Sequence, residues 1–415
     1  MQVSEEQFHP IAEIAVRVGV NIQPGQDVVI MAPAAQAPAV RAVAKVAYAA
    51  GAKNVRCLFN DEKLDRIRFE VAPEEGLKEF PQWLADGLRQ EGDGGAAFVN
   101  IIGGNPHNLA GIPPERIAMS MHAAQAALKP FQQMMMSHRA AWTIVATPSP
   151  EWAQQVFPDL PQQEAEERLW QAILRTSRAD GPDPVGAWRE HIKNLQARKA
   201  WLNELGIMTL HYRAPGTDLS IDLPPTHQWV ATGQPRAVGY PTSPNIPTEE
   251  VFSLPLRTGV NGTVRSTMSL SFMGQEIDGI ELRFEAGRVV EFHARTGEET
   301  LRQVIETDEG SHYLGEVALV PVDSPISQSG TLFYSTLFDE NASCHIAVGA
   351  AYPTCLTDGG EVHSDEDLLA KGGNASAIHM DFMIGSDALD IDATTRDRKV
   401  VPIFRAGKWA APANA

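Results

Sequence analysis

His379 and Asp381 stand two residues apart in the apolar run Ala377-Ile378-His379-Met380-Asp381-Phe382-Met383-Ile384. On a strand, residues two apart face the same side, so the imidazole and the carboxylate point together. Such a pair is costly to bury unless it is mutually bonded or bound to a metal ion. By itself the pattern fits an Asp–His hydrogen bond as well as a metal site. His345 lies in a second small, apolar stretch, Asn341-Ala342-Ser343-Cys344-His345-Ile346-Ala347-Val348-Gly349, with Tyr352-Pro353 seven residues on. Glu316 opens the apolar segment Gly315–Pro321, and Glu250 leads into Val251-Phe252. Either glutamate alone reads as a solvated strand end.

Taken together, two His, two Glu and one Asp are nitrogen and oxygen donors suited to Zn, Co or Mn rather than to a thiolate-seeking metal. Five donors exceed one tetrahedral zinc and match two ions sharing a bridging carboxylate, the arrangement of two-metal hydrolases. Cys344 reads as a small buried neighbour of His345, not as a ligand. Other chemistries lack their residues: there is no GxxxxGK[ST] loop, GxGxxG turn, GxSxG elbow, HExxH or CxxC. Ile101-Ile102-Gly103-Gly104-Asn105-Pro106 reads as a tight turn after a strand.

The elements that must position these residues fall into two halves. Residues 1–205 alternate short apolar strands with helices, which implies a mostly parallel sheet with flanking helices, an α/β domain. The strands are Val28–Met31, Val55–Phe59, Ala97–Ile102 and Trp142–Ala146, and the helices include Glu5–Val18, Pro38–Ala50 and Pro114–Met136. From Trp152 to Leu205 the spacing is helical, and Trp170 and Trp188 read as core residues. After Gly206 the chain turns strand-like and rich in Gly, Pro and Thr. Residues 206–415 are expected to form a β-rich α+β domain that carries the candidate metal site.

The 415 residues are 43% hydrophobic and 21% charged, the balance of an ordinary globular protein. The net charge is −18, divided as −3 over residues 1–200 and −15 over 201–415. No Lys or Arg occurs between Arg302 and Lys371, a stretch with twelve carboxylates. This balance argues against nucleic acid and anionic membranes as partners, since both need clustered cations. The acidic start, Met1-Gln2-Val3-Ser4-Glu5-Glu6, does not read as a secretory signal, no apolar run spans a membrane, and three cysteines do not make a disulfide framework. A cytoplasmic location is expected.

Several joined segments resemble the thermophilic metalloaminopeptidase family of the aminopeptidase T and aminopeptidase S type. They are Pro247-Thr248-Glu249-Glu250-Val251-Phe252, Ala318-Leu319-Val320-Pro321, Asp323–Ser327, Leu337–His345, Ala351-Tyr352-Pro353, Gly372–Ser376, Ile378–Gly385 and the ending Val401-Pro402-Ile403-Phe404 with Gly407-Lys408-Trp409. The resemblance covers essentially the whole chain and is densest from Glu249 to Gly385. It implies a homodimer with a dinuclear site of two divalent ions (Zn, Co or Mn, with Mg as a further candidate), held by Glu250, Glu316, His345, His379 and Asp381. It also implies that Tyr352 is catalytic, and that the substrates are peptides with a free N-terminus. Glu316 or Glu250 would bridge the ions, and one of them would carry a proton to the leaving amine, which makes Glu316 a candidate catalytic residue too. One departure stands out: Thr394-Thr395-Arg396-Asp397-Arg398 replaces the family's usual Asp-Gly turn. Competing readings are another two-metal hydrolase, an amidase or a phosphoesterase, and a non-catalytic binding protein on the same fold. A phosphoesterase would want cationic groups to clamp phosphate, which the Arg302–Lys371 gap lacks.

Overall fold

The computed structural model describes residues 3–233, 237–272 and 275–411. The chain divides into two compact units. One comprises the chain up to Ile192 together with Thr232–Pro247; the other comprises Lys193–Ala231 and the chain from Thr248 onward. Among the described residues no helix is long and apolar enough to cross a membrane.

The first unit is built on a four-stranded, wholly parallel sheet of β1 (Asp27–Pro33), β2 (Asn54–Asn60), β3 (Ala97–Ile102) and β4 (Trp142–Ala146) in the order β2-β1-β3-β4. The central strands β1 and β3 are covered on both faces, while the edge strand β2 is largely exposed. Val29 and Phe98 pack against Leu88, Phe131 and Met134 of the helices Gln82–Asp93 and Pro114–Met136, while Val28 and Ile30, out of phase by one, are buried on the other face. The first helix ends its regular turns at Ile14 and continues to Gly19 in a wider turn. A Cβ at Gly19 would stand 2.6 Å from Thr143 Oγ1, so the glycine lets the helix end approach β4. The returning segment adds to the same sheet edge, where Ile144 N donates to Pro244 O at 2.7 Å. Trp170 and Trp188 are buried, as expected of core residues, and so is Trp152.

Among the described residues the second unit holds a large and a small antiparallel sheet and a separate two-stranded hairpin. Its strands are β5 (Ile207–Ala214), β6 (Thr217–Asp222), β7 (Val251–Ser253), β8 (Val260–Arg265), the hairpin partners β9 (Leu270–Phe272) and β10 (Gln275–Ile277), β11 (Glu281–Glu285) and β12 (Arg288–His293). They continue with β13 (Leu314–Leu319), β14 (His345–Gly349), β15 (His379–Met383), β16 (Asp390–Thr395), β17 (Val400–Arg405) and β18 (Lys408–Trp409). The large sheet runs β12-β11-β8-β6-β5-β16-β17-β18, and the small one runs β15-β14-β13-β7. One apolar core joins them. Leu210, Tyr212, Leu219, Ile391 and Phe404 of the large sheet meet Val317, Leu319, Ile346, Val348, Met380 and Phe382 of the small one. Burying a side chain of this size stabilises by roughly 1.5–3 kcal/mol, so this face sets which residues of the small sheet must turn the other way.

Two left-handed residues show how closely the backbone is constrained. Arg398 closes the β16–β17 turn at φ 61°, with Arg398 N donating to Thr395 O at 2.8 Å and Thr395 N to Lys399 O at 2.9 Å. Loss of the family's glycine therefore leaves the turn intact, at a cost of about 1–2 kcal/mol for a residue with a Cβ. Gly349 ends β14 at φ 107°, and a Cβ there would lie 2.1 Å from Ile378 O. That carbonyl belongs to the residue leading into His379, the register partner of Gly349. We predict that Gly349→Ala lowers unfolding stability by more than about 2 kcal/mol, measured by denaturant titration. A loss under 0.5 kcal/mol would show that the two strands tolerate separation.

Candidate metal centre

The register of the small sheet brings the five sequence-predicted donors to one face. Ala347 pairs with Glu316 on one side and Asp381 on the other, so the two carboxylates flank it in one row. One row on, His345 pairs with Ala318 and Met383; one row back, Gly349 pairs with His379. Phe252 pairs with Ala318, which puts Glu250, two residues before it, on the same side. Small residues, Ala318, Ala347 and Gly349, occupy the spaces between and leave room for the functional side chains. The register slips between Leu314 and Glu316, and Gly315 is the extra residue of that bulge. A Cβ on Gly315 would lie 2.2 Å from Ala350 O. The bulge re-aims Glu316 into the cluster, as bulges do beside functional sites. Cys344, one residue out of phase, belongs to the apolar core on the opposite face, and burial pushes its thiol up to about 12.

The donors converge. His345 Nε2 lies 3.3 Å from Glu250 Oε2 and 3.6 Å from Glu316 Oε1. His379 Nε2 lies 3.7 Å from Glu316 Oε2 and 3.4 Å from Asp381 Oδ1. Glu250, Glu316 and His345 each offer a ligand atom within 4.8 Å of the others. The carboxylate of Glu316 thus turns one oxygen to each imidazole. Tyr352 stands beside the cluster, its ring 5.1 Å from that of His379 and 6.1 Å from that of Phe252. Phe252 and Tyr352 pack on a small apolar group of Val230, Leu254, Ala351 and Cys355 that fixes the tyrosine.

The electrostatics follow from burial. Desolvation raises the Glu316 carboxyl to about 7. Burial opposes charge on His345 and His379, but the facing carboxylates outweigh it. Glu250 and Glu316 hold His345 well above the usual imidazole range, and Asp381 and Glu316 hold His379 at about 10. Burial would raise Asp381, yet His379 beside it draws it below the usual carboxylate value. Desolvation, then the surrounding carboxylates, keeps the Tyr352 hydroxyl well above 10, so it remains a hydrogen-bond donor.

These residues fit a bound cation. His345 Nδ1 faces Ser343 O at 3.2 Å and His379 Nδ1 faces Ala350 O at 2.7 Å. A carbonyl only accepts, so each Nδ1 carries hydrogen, and in the neutral imidazole Nε2 is a lone pair. Both lone pairs then confront carboxylate oxygens, which repel unless a proton or a metal ion stands between. Backbone carbonyls orienting histidine ligands in this way are the common supporting arrangement of metal sites. Asp381 Oδ1 is in addition a buried oxygen with no hydrogen bond.

Several positioning residues were not singled out in the sequence, although Asn341, Asn374 and Ser376 lie within the family-like segments. Buried Asn374 donates through Nδ2 to Gly310 O at 2.8 Å and Gly349 O at 2.6 Å, and accepts from Arg257 Nε at 3.0 Å. Asp308 accepts from Ser376 Oγ at 2.8 Å and Ala377 N at 2.6 Å. Together they fix the approach to β15. Asn341 Oδ1 accepts from Glu249 N at 2.7 Å and so holds the segment of Glu250. Glu340, its neighbour, is a further carboxylate, whose electrostatic neighbours include Asp381, Glu250, His345 and Glu316; it lies in the family-like segment Leu337–His345 and in the stretch without Lys or Arg, and no role was read for it.

Comparison with known proteins agrees with this architecture. Residues 4–409 match the family model described as thermophilic metalloprotease (M29). Aminopeptidase 2 of Geobacillus stearothermophilus is 47% identical, with 98% of each chain covered. Aminopeptidase AmpS of Bacillus subtilis (strain 168) is 46% identical over 99% of this chain and all of its own. The structure of wild-type AmpT from Thermus thermophilus superposes with a TM-score of 0.92 at 40% identity, covering 98% of this chain and 100% of that one. By sequence along its whole length and by fold, the chain belongs to the M29 family of thermophilic metalloproteases.

Proposed function

We propose that this protein is a metal-dependent aminopeptidase that removes residues from the free N-terminus of peptides, with the second half of the chain, residues 206–415, as the catalytic domain. In this reading Glu250, Glu316, His345, His379 and Asp381 hold two divalent ions, Zn, Co or Mn, and the protein works as a homodimer. The observation that carries the dinuclear reading is the carboxylate of Glu316, with Oε1 toward His345 and Oε2 toward His379. Two ions held by these residues would share Glu316, which faces Glu250 and His345 through one oxygen and His379 through the other. The aminopeptidase names of the relatives at 46–47% identity support the substrate class.

When bound, the ions act as Lewis acids that activate water near neutral pH and polarise a carbonyl. The protein's own groups do the rest. Tyr352, protonated at all working pH values, donates a hydrogen bond where negative charge develops on the peptide oxygen. Glu316 or Glu250, both facing His345 Nε2, would take a proton from water and pass it to the leaving amine. The small sheet holds both on short, paired strands, so little reorganisation is needed at the moment of reaction.

Three outcomes test this reading. Digestion of a peptide by metal-loaded protein, followed by mass spectrometry, should show stepwise loss from the N-terminus. His345→Ala or Asp381→Ala should cut that rate by more than about 100-fold together with bound metal; wild-type rates in either variant would sink the assignment. Tyr352→Phe should retain metal content yet lower turnover by roughly 10–1,000-fold, and unchanged turnover would remove Tyr352 from the mechanism. Metal uptake should also depend on pH with a definite sign. Near pH 7 the metal-free site carries a proton on His379, held up to about 10, and shares one at Glu316, raised to about 7. An entering cation displaces them, so binding releases protons and apparent affinity rises with pH. Calorimetry in buffers of different ionisation enthalpy reads this directly, and uptake without proton release at pH 7 would contradict it.

A further inference from the structure

Asn374 holds more than the strand that follows it. Its side chain is wholly buried, and its partners settle which way the amide points. The Arg257 guanidinium only donates, so Oδ1 faces Arg257 Nε at 3.0 Å. Carbonyls only accept, so Nδ2 donates to Gly310 O at 2.8 Å and to Gly349 O at 2.6 Å. The backbone carbonyl of Asn374 in turn accepts from Ala351 N at 2.8 Å. Asn374 therefore grips the segment Gly349–Ala351 on both sides of Ala350. The other amides of that segment are also taken up: Gly349 N donates to Tyr313 O at 2.8 Å and Ala350 N to Ile378 O at 2.7 Å. Ala350 O is left turned toward His379 Nδ1 at 2.7 Å. The next residue along the chain is Tyr352, whose ring lies 5.1 Å from that of His379.

Arg257 secures the asparagine from the far side. Its guanidinium lies over the Tyr313 ring, 3.6 Å from the ring centre, and Arg257 N donates to Gly372 O at 2.8 Å. A planar, always-charged group stacked on an aromatic face holds its N–H directions well. We propose that Asn374, fixed by Arg257, is a positioning residue of the aminopeptidase reaction that sets the Tyr352 hydroxyl against His379 through the Gly349–Ala351 segment. The inference rests on the metalloaminopeptidase reading above. One short stretch of backbone carries both the acceptor that orients the imidazole and the chain that leads into the tyrosine. Truncating Asn374 leaves Gly349 O without its donor and frees that stretch to shift. A displacement of about 1 Å at a reacting group costs up to about 100-fold in rate.

The test is a double-mutant cycle with Tyr352→Phe, read on hydrolysis of leucyl p-nitroanilide at saturating metal. Asn374→Ala should lower kcat by roughly 10–100-fold and change KM by less than about threefold. In the Tyr352→Phe background the same truncation should cost less than about threefold in kcat, because the hydroxyl it positions is gone. Calorimetry should show metal binding to Asn374→Ala weakened by about 10-fold, since Ala350 O no longer fixes His379. Arg257→Gln leaves the bonds within the segment in place and serves as the second variant, with an expected loss of roughly 3–10-fold in kcat, again suppressed by Tyr352→Phe. Undiminished losses in the Tyr352→Phe background would show a merely structural role and overturn the proposal. Wild-type kcat or unchanged metal affinity in Asn374→Ala would overturn it as well, each read in Arg257→Gln if Asn374→Ala does not fold. Failure of the underlying reading shows separately, since metal-loaded wild-type protein would then release no N-terminal residues.

Discussion

Everything in the second unit answers to one electrostatic constraint: three carboxylates and two imidazoles share one face of a four-stranded sheet, nearly out of water. Charges taken from water into a protein cost several kcal/mol each even after relaxation. The imidazoles offset part of that only when protonated, because their Nδ1 hydrogens are already committed to Ser343 O and Ala350 O. The cluster is thus poorly satisfied by its own protons and well suited to divalent cations. Burial that would be a liability in a structural ion pair is here what sharpens affinity for metal.

The fold meets this constraint by dividing labour between the two faces of the small sheet. Val317, Ile346, Val348, Met380 and Phe382 bond the sheet to the apolar core. The alternate positions carry the donors and the small residues Ala318, Ala347 and Gly349, with Phe252 and Met383 beside them. The Gly315 bulge and the Gly349 close approach adjust the two places where a regular ladder would misdirect Glu316 or separate β15 from β14. Polar supports then act at a distance: Asn374 and Asp308 fix the approach to His379, and Asn341 fixes that to Glu250. Since each support bonds mainly backbone, the donors are positioned by the chain's path as much as by their own rotamers.

The uneven charge of the sequence has a local meaning in this setting. A cation-free stretch from 303 to 370 includes Glu316, Glu340, His345 and Tyr352. A nearby lysine would compete with metal for the same carboxylates, and an arginine would hold them bidentately. A field of one sign favours divalent cations and ammonium groups and disfavours anionic ligands. Surface acids such as Asp365, Glu366 and Asp367 contribute less, since they serve the first turn of a short helix capped by Ser364.

Much of this was legible in the linear sequence. Strands β3 and β4 and the helix Pro114–Met136 follow directly from runs of apolar residues and from proline at a helix start, because those signals are local. The pairing of His379 with Asp381 on one side of a strand is likewise local, a consequence of the two-residue period of extended chain. The donor types and the joined family segments carried the metal reading as well. What only the tertiary structure decided is which face is which and what stands opposite what. Strand β14 was not foreseen as a strand, and it supplies Ala347, the residue that sets Glu316 and Asp381 in one row. The two-sided disposition of Glu316 and the anchoring by Asn374 depend on register between segments tens of residues apart. A one-residue slip of register would send every side chain of a strand to the other face, and that choice is made by the shared core, not by any local run of sequence.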